Sequence, residues 1–464
     1  MPHDYVFVGP TLPTAEVTAL LPGATPLPPI RHGDLLRLAP RPGDRVLIID
    51  GLFLLTAPIR HKELLDALDR GVVVAGSSSM GALRAAELWP YGMRGVGRIF
   101  EFYRDGVVTD DDEVTIVHGP AEEGHRPLSE PLVNLRVSLA AAVAAGVLDR
   151  AGADALLECA RQVPFRARGP RMLRRRAYAA GLRDSHDRYA AWAATHPIDA
   201  KADDARELLR LAAAGDRRLR PRDDADAVIE SVGTVFFEAW RTRHHGGTAG
   251  ERWVNDAKVI NALMILHPEF PALHRRHVLR LLVGADPGTP PSEVERRALD
   301  LARQRGLTDE GVTGSGWLTA DERKLPAAEA TLRVLVRAFG TVNNKVLPYR
   351  CLPPELARPE VLELTRRMVG SALRLTDRLP HPDPHRPLLR LRYRPTVVDE
   401  LLCRLWGCRP EALEAAGWDR GFGDLAWLRG NAEPLVSWLK VATARPEPWY
   451  PPTRPVESSL AKAG

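Results

Sequence analysis

The chain has 464 residues, 45% apolar and 27% charged, with a formal net charge of +5. That length exceeds one ordinary hydrophobic core and predicts two or three domains of a globular protein. A small basic excess with 6% aromatics excludes the dense, ring-bearing basic face that binds nucleic acid.

The four cysteines, Cys159, Cys351, Cys403 and Cys408, form no CxxC pair and have no histidine at zinc-finger spacing, so neither a disulfide framework nor a structural metal is expected. The N-terminus lacks a basic flank followed by a long apolar stretch, which predicts no signal peptide. The longest apolar run, Leu139–Leu148, is half of the roughly 20 residues that span a bilayer. A cytoplasmic protein without membrane contact is expected.

Residues 1–125 alternate strand-like and helical patterns, and the fold class expected is an α/β N-terminal domain with a mostly parallel sheet. Tyr5–Val8, Val46–Ile49 and Val72–Ala75 are continuous apolar runs, the signature of strands buried on both faces. His61–Arg70 is an amphipathic helix with Leu64, Leu65 and Leu68 on one face. Ser79–Leu88 reads as the helix after the third strand, so strand, helix, strand and helix predict a right-handed parallel crossover. Residues 126–215 read as a helical extension of this core. Gly215–Ala225 is polar, charged and broken by Pro221, the best linker candidate. Residues 226–446 read as a mainly helical C-terminal domain of unassigned role, with helices over Trp253–Leu266 and Ala328–Phe339, and 447–464 as a flexible tail.

The turn from Gly76 to Gly81 (GSSSMG) follows a buried strand and opens a helix, where an α/β hydrolase sets its nucleophile on a sharp elbow. Counting back from Gly81, Ser79 takes the serine position of G-x-S-x-G, Ser77 stands where the first glycine would be, and Ser78 is the second choice. The first amides of the helix, at Met80 and Gly81, are candidate oxyanion donors. The plainer alternative is that these serines cap a good helix.

Lys62 is the candidate base. The first turn of a crossover helix and the end of the next strand share the carboxyl edge of the sheet, so Lys62 and Ser79 are expected to converge there. The helix dipole, with Arg60 and His61 alongside, disfavours an ammonium at that position. Lysine is also scarce, with seven in the chain, and arginine cannot serve as a base. Alternatively, Arg60, His61 and Lys62 form a solvated patch that docks anions. Asp50 ends its strand at the same edge and could orient Lys62 or a ligand. Asp110–Glu113 (DDDE) resembles a metal or basic-partner site, although such runs are more often solvated. Gly92–Arg98 lacks the G-x-G-x-x-G order of a dinucleotide site. His118 is a weak site candidate. No metal and no cofactor are expected.

Taken together, Val6–Leu12 (VFVGPTL), Ile49–Phe53 (IDGLF), Arg60–Glu63 (RHKE), Ser79–Leu88 (SMGALRAAEL), Gly92–Glu101 (GMRGVGRIFE) and Asp110–Val114 (DDDEV) resemble the TfuA family. The likeness extends more loosely to Asp199–Ala205 (DAKADDA), and so covers about the first 215 residues. The resemblance implies a protein acting beside a YcaO enzyme, which activates a peptide backbone amide with ATP, in converting that amide to a thioamide. It further implies a Ser–Lys hydrolase-like site that releases sulfide from a thiocarboxylated sulfur carrier of the ThiS type, with the serine falling on Ser79 and the lysine on Lys62. Arg60, His61 and Arg84 would then attract the anionic substrate. Partners implied are the YcaO enzyme, the carrier and the precursor peptide. Two alternatives stay open: a non-catalytic partner that activates YcaO or recruits its peptide, and a generic serine hydrolase.

Overall fold

A strand that is apolar at every position must be covered on both sides. The computed structural model describes residues 2–52, 56–220, 229, 233–339, 351–377 and 393–442; of the expected linker Gly215–Ala225, residues 215–220 are described and include a 3-10 turn at Arg217–Leu219 with Leu219 buried, while 221–225 and the expected tail at 447–464 lie outside them. The chain divides into two compact units, Met1–Val232 and Gly233–Gly464.

In the first unit, strands β1 (Asp4–Phe7), β2 (Thr25–Leu27), β3 (Arg45–Ile48), β4 (Val73–Ser77) and β5 (Arg94–Val96) alternate with helices α1 (Thr14–Leu20), α2 (Asp34–Leu38), α3 (His61–Asp69), α4 (Met80–Leu88) and α5 (Arg98–Arg104). The sheet is wholly parallel in the order β2-β1-β3-β4-β5, with Val6 beside Leu47 and Leu47 beside Ala75. Helices α6 (Leu132–Ala144), α7 (Arg150–Arg161), α8 (Pro170–Ala179), α9 (Arg183–Ala193) and α10 (Ala200–Ala213) follow.

Strand side chains alternate between the two faces, and each set finds its own cover. Phe7, Val46, Ile48 and Val74 pack with Leu64 and Ala67 of α3, Met80, Ala82 and Ala85 of α4, Ile99 of α5 and Val133 and Val137 of α6. Val6, Val8, Leu47, Ile49 and Ala75 pack with Val17 of α1 and with Ala205, Leu208 and Leu209 of α10. One of the late helices therefore shares with α1 the cover of the second sheet face, and without it much of that face would stand open to water. The remaining helices share a smaller core around Leu139, Leu156 and Tyr189.

Two strands escape the apolar-run criterion, and both are short edges. In β2, Pro26 cannot donate to a ladder, which suits an edge. In β5, Gly95 is demanded by the Phe100 ring, 2.1 Å from where its Cβ would stand.

The second unit is mainly helical. After α11 (Val235–His244) comes an antiparallel hairpin of β6 (Gly246–Ala249) and β7 (Arg252–Asn255), then α12 (Asp256–Leu266), whose apolar residues from Val259 to Leu266 sit in the unit's main core. The helix expected from Trp253 thus starts later, because Asn255 accepts from Lys258 N at 3.0 Å and caps it at Asp256. The helix expected over Ala328–Phe339 is present as Ala327–Ala338. Its Arg337 is fully buried and bonded to Glu322, Asp419 and the Trp317 carbonyl. No helix among the described residues is long and apolar enough to cross a membrane. The four cysteines are free thiols.

Candidate active site

From β1 the sheet order runs to β2 on one side and to β3 on the other. Open parallel sheets bind ligands in the crevice such a reversal leaves at the carboxyl ends. Here a cavity of about 560 Å³ is lined by Pro10 beyond β1, Asp50 and Gly51 beyond β3, Ser79 beyond β4 and Lys201 of α10, with Val114–His118, Phe165 and Arg166 among its remaining walls.

The serine turn is set by two glycines. A Cβ on Gly81 would lie 1.7 Å from the Ile48 carbonyl oxygen, and one on Gly76 would lie 2.0 Å from that of Gly81. The start of α4 therefore presses onto the strand ends more closely than any side chain allows. The chain turns through Ser78, which adopts a left-handed φ of 69°, a strained value for a residue with a side chain. The hydroxyls of Ser77 and Ser78 are buried with no hydrogen-bond partner, whereas Ser79 lines the cavity. Of the three serines, Ser79 is the one that lines the cavity.

Its partner is Lys201. The Nζ of Lys201 donates to Ser79 Oγ at 3.2 Å and to the Val114 carbonyl at 3.1 Å, across a sequence separation from the serine of 122 residues. Lys201 is 4% exposed. Burial pushes its ionisation below the ordinary lysine value, against the pull of Asp50 and Asp199, which favours the neutral amine that a base must be.

The pairing expected from sequence, Ser79 with Lys62, is thus replaced at the cavity. Lys62 is half-buried in the first turn of α3 and does not line it. The reason lies in how α3 meets α4. His61 is bonded to Glu87 at 2.9 Å and to Arg84 at 3.3 Å, so the start of α3 rests against the far part of α4. Glu87 is eight residues beyond Ser79, about 12 Å along a helix. The same cluster occupies His61 and Arg84, with Arg84 also bonded to Glu87, and neither lines the cavity; nor does the exposed Arg60.

Of the expected oxyanion donors, the Gly81 N–H already points at the Ile49 carbonyl, 3.4 Å away, while Met80 is the first residue of α4, where helix amides have no intrahelical acceptor. Asp50 is buried and lines the cavity, as an anchor: Oδ2 accepts from Gly9 N (2.9 Å) and Thr11 N (3.0 Å), and Oδ1 from the Thr11 hydroxyl (2.7 Å). The acidic run is not an open metal site. Glu113 is buried against Arg136, and Asp112 meets Arg168 at 3.0 Å. Among the described residues no group of three or more His, Cys, Asp or Glu side chains could hold a metal ion. His118 lines the cavity, its Nδ1 2.8 Å from the Gly119 carbonyl and its ring edge-on to His125.

Sequence reasoning missed Lys201 and Arg166. A signal for the first existed: Lys62 and Lys201 are the two lysines in residues 1–232, and Lys201 stands inside the segment Asp199–Ala205.

Residues 50–169 match the family model of TfuA-like proteins, a family associated with YcaO thioamidation systems. This stretch is TfuA-like; it holds Asp50, Ser79, Val114 and Arg166, and ends ahead of Lys201. No curated protein matches the sequence significantly.

Proposed function

We propose that the first unit is a serine–lysine hydrolase of thioamide formation, which releases sulfide from the thiocarboxylated C-terminus of a ThiS-type carrier for use by a YcaO enzyme. The observation that carries the reading is the 3.2 Å contact between Lys201 Nζ and Ser79 Oγ in a buried wall of a sheet-edge cavity. The TfuA-like match over 50–169 supports the substrate class. The lysine of the pair is Lys201 in place of Lys62.

In this mechanism neutral Lys201 takes the Ser79 proton as the oxygen attacks the thiocarboxylate carbon. The tetrahedral oxyanion faces the start of α4, where the Met80 amide and the helix dipole stabilise it. Collapse breaks the carbon–sulfur bond, and the ammonium returns its proton to the leaving sulfur, giving hydrosulfide and a Ser79 ester. Water, deprotonated by the same amine, then attacks the ester; a carboxylate leaves and Ser79 is regenerated. Arg166, at the cavity wall, is suited to hold the anionic end of the incoming chain.

The test mixes the full chain with thiocarboxylated carrier and measures sulfide, with and without the YcaO partner. Ser79→Ala and Lys201→Met each abolish release on this reading. Undiminished release by either variant overturns it. Thioamidation that survives both substitutions identifies a non-catalytic partner of YcaO instead.

A further inference from the structure

Lys201 does not owe its place to α10 alone. Its backbone N–H donates to Asn134 Oδ1 at 3.1 Å. The Nδ2 of Asn134 in turn donates to Asp199 Oδ1 at 2.9 Å, and this carboxylate caps α10 by accepting from Ala202 N at 3.1 Å. The amide at position 134 accepts and donates at once, whereas an aspartate there would confront Asp199 and could donate nothing.

The far end of the lysine is held from the same helix. Val114, whose carbonyl receives Nζ, follows Glu113, and Glu113 is 3% exposed with its carboxylate gripped through both oxygens by Arg136. The residue before, Asp112, is tied by carbonyl and carboxylate to Arg168, each at 3.0 Å. Asn134 and Arg136 lie two residues apart on α6.

We propose that α6 is the positioning template of the base, Asn134 setting the Lys201 backbone and Arg136, through Glu113, setting the carbonyl that aims the Lys201 nitrogen at Ser79. This rests on the Ser79–Lys201 reading above. A neutral amine has two N–H donors and one lone pair; once a fixed carbonyl takes one donor, the nitrogen is held within reach of Ser79, and a turn about the Cε–Nζ bond exchanges the remaining N–H for the lone pair that takes the serine proton. Asn134 and Arg136 are therefore positioning residues, and the acidic run is a strut of the active site.

Lysine labelled with carbon-13 at Cε, in the full chain, reads the ionisation of Lys201 directly, with Lys201→Arg assigning the resonance. The groups that bear on it are Asp50 beyond β3, Asp199 on its own helix, Glu113 beside the carbonyl, and His118 and Arg166 in the cavity wall. Asn134→Ala and Arg136→Met free the amine to reach water, so its ionisation moves up toward the ordinary lysine value. The acid limb of kcat/KM for sulfide release moves up with it. The loss is about tenfold at pH 7, with KM unchanged, and activity returns at higher pH. A Lys201 titration unchanged in both folded variants overturns the proposal. If Asn134→Ala does not fold, Asn134→Leu, of similar size and without donor or acceptor, is read in its place by the same criterion. A titration that moves while wild type releases no sulfide supports the positioning and defeats the hydrolase reading.

Discussion

Asp50 accepts the hydroxyl of Thr11 at 2.7 Å, so that the loop after β1 is tied to the end of β3 across the crevice where the sheet order reverses. The same carboxylate pulls on Lys201 by charge. These two duties separate by mutation. Thr11→Val removes one bond to a buried carboxylate and is expected to cost about 1–2 kcal/mol in urea unfolding. Asp50→Asn removes the charge that favours the ammonium, so the acid limb of the sulfide-release profile moves to lower pH. That is opposite to the shift expected for Asn134→Ala, and a pH–rate series on the two variants checks it.

Gly81→Ala asks the backbone to admit a Cβ 1.7 Å from the Ile48 carbonyl oxygen. Neither the strand end nor the helix start can yield that distance without moving Ser79. A destabilisation of about 3 kcal/mol or more is expected, with loss of sulfide release even where folded protein is recovered. The denaturation midpoint and the activity of the folded fraction measure the two effects.

Asp204 of α10 receives the first amides of α5, Arg98 N at 3.0 Å and Ile99 N at 2.7 Å. Its burial pushes the carboxyl up to about 6 from an ordinary 3.8, more than the two amides pull it down. The folded state therefore binds a proton that the unfolded chain has released, and the stability of the first unit falls as pH rises from about 4 to about 6 through this group. The difference is on the order of 2–3 kcal/mol. Asp204→Asn flattens that slope; urea midpoints at pH 4.5 and 7 show whether it does.

In the second unit, Glu322 is held near a pKa of about 2: the bonds from Arg337, Arg333 and the Thr319 amide outweigh the desolvation that opposes them. Its folded value lies below the unfolded one, so its contribution is present at neutral pH and is lost as pH falls from about 4.5 toward 2. Arg337→Met leaves Glu322 with Arg333 and the Thr319 amide but takes the charged donor from Asp419 and from the Trp317 carbonyl, and is expected to cost about 1.5–3 kcal/mol. Unfolding of the second unit followed by circular dichroism between pH 7 and 2 tests both statements.

How much of this could be read beforehand depends on whether the cause is local. The strands at 5–8, 46–49 and 72–75 announce themselves because a run buried on both faces has no polar position to hide it. The serine turn is legible for a similar reason: strand, glycine, serines and helix follow one another in the chain. The base is not. Chain order offered Lys62, one helix before the serine, but the cover of the second sheet face comes from α10, and no local period says onto which face a helix folds. The acidic run misleads in the same way, since Asp110–Glu113 looks solvated until Arg136 and Arg168 arrive from helices not yet reached.

A hydrogen bond that joins residue 79 to residue 201 also sets a time. As the chain is synthesised, the strands and the serine turn emerge first, with one face of their sheet covered only in part by α1 and Lys201 not yet beside the hydroxyl. The same helix completes the cover of that face and brings the Lys201 amine to the hydroxyl. On the serine–lysine reading, a chain that stops before α10 therefore carries the serine without its amine on an incomplete fold, and the pair is assembled in the same step that completes the sheet's cover.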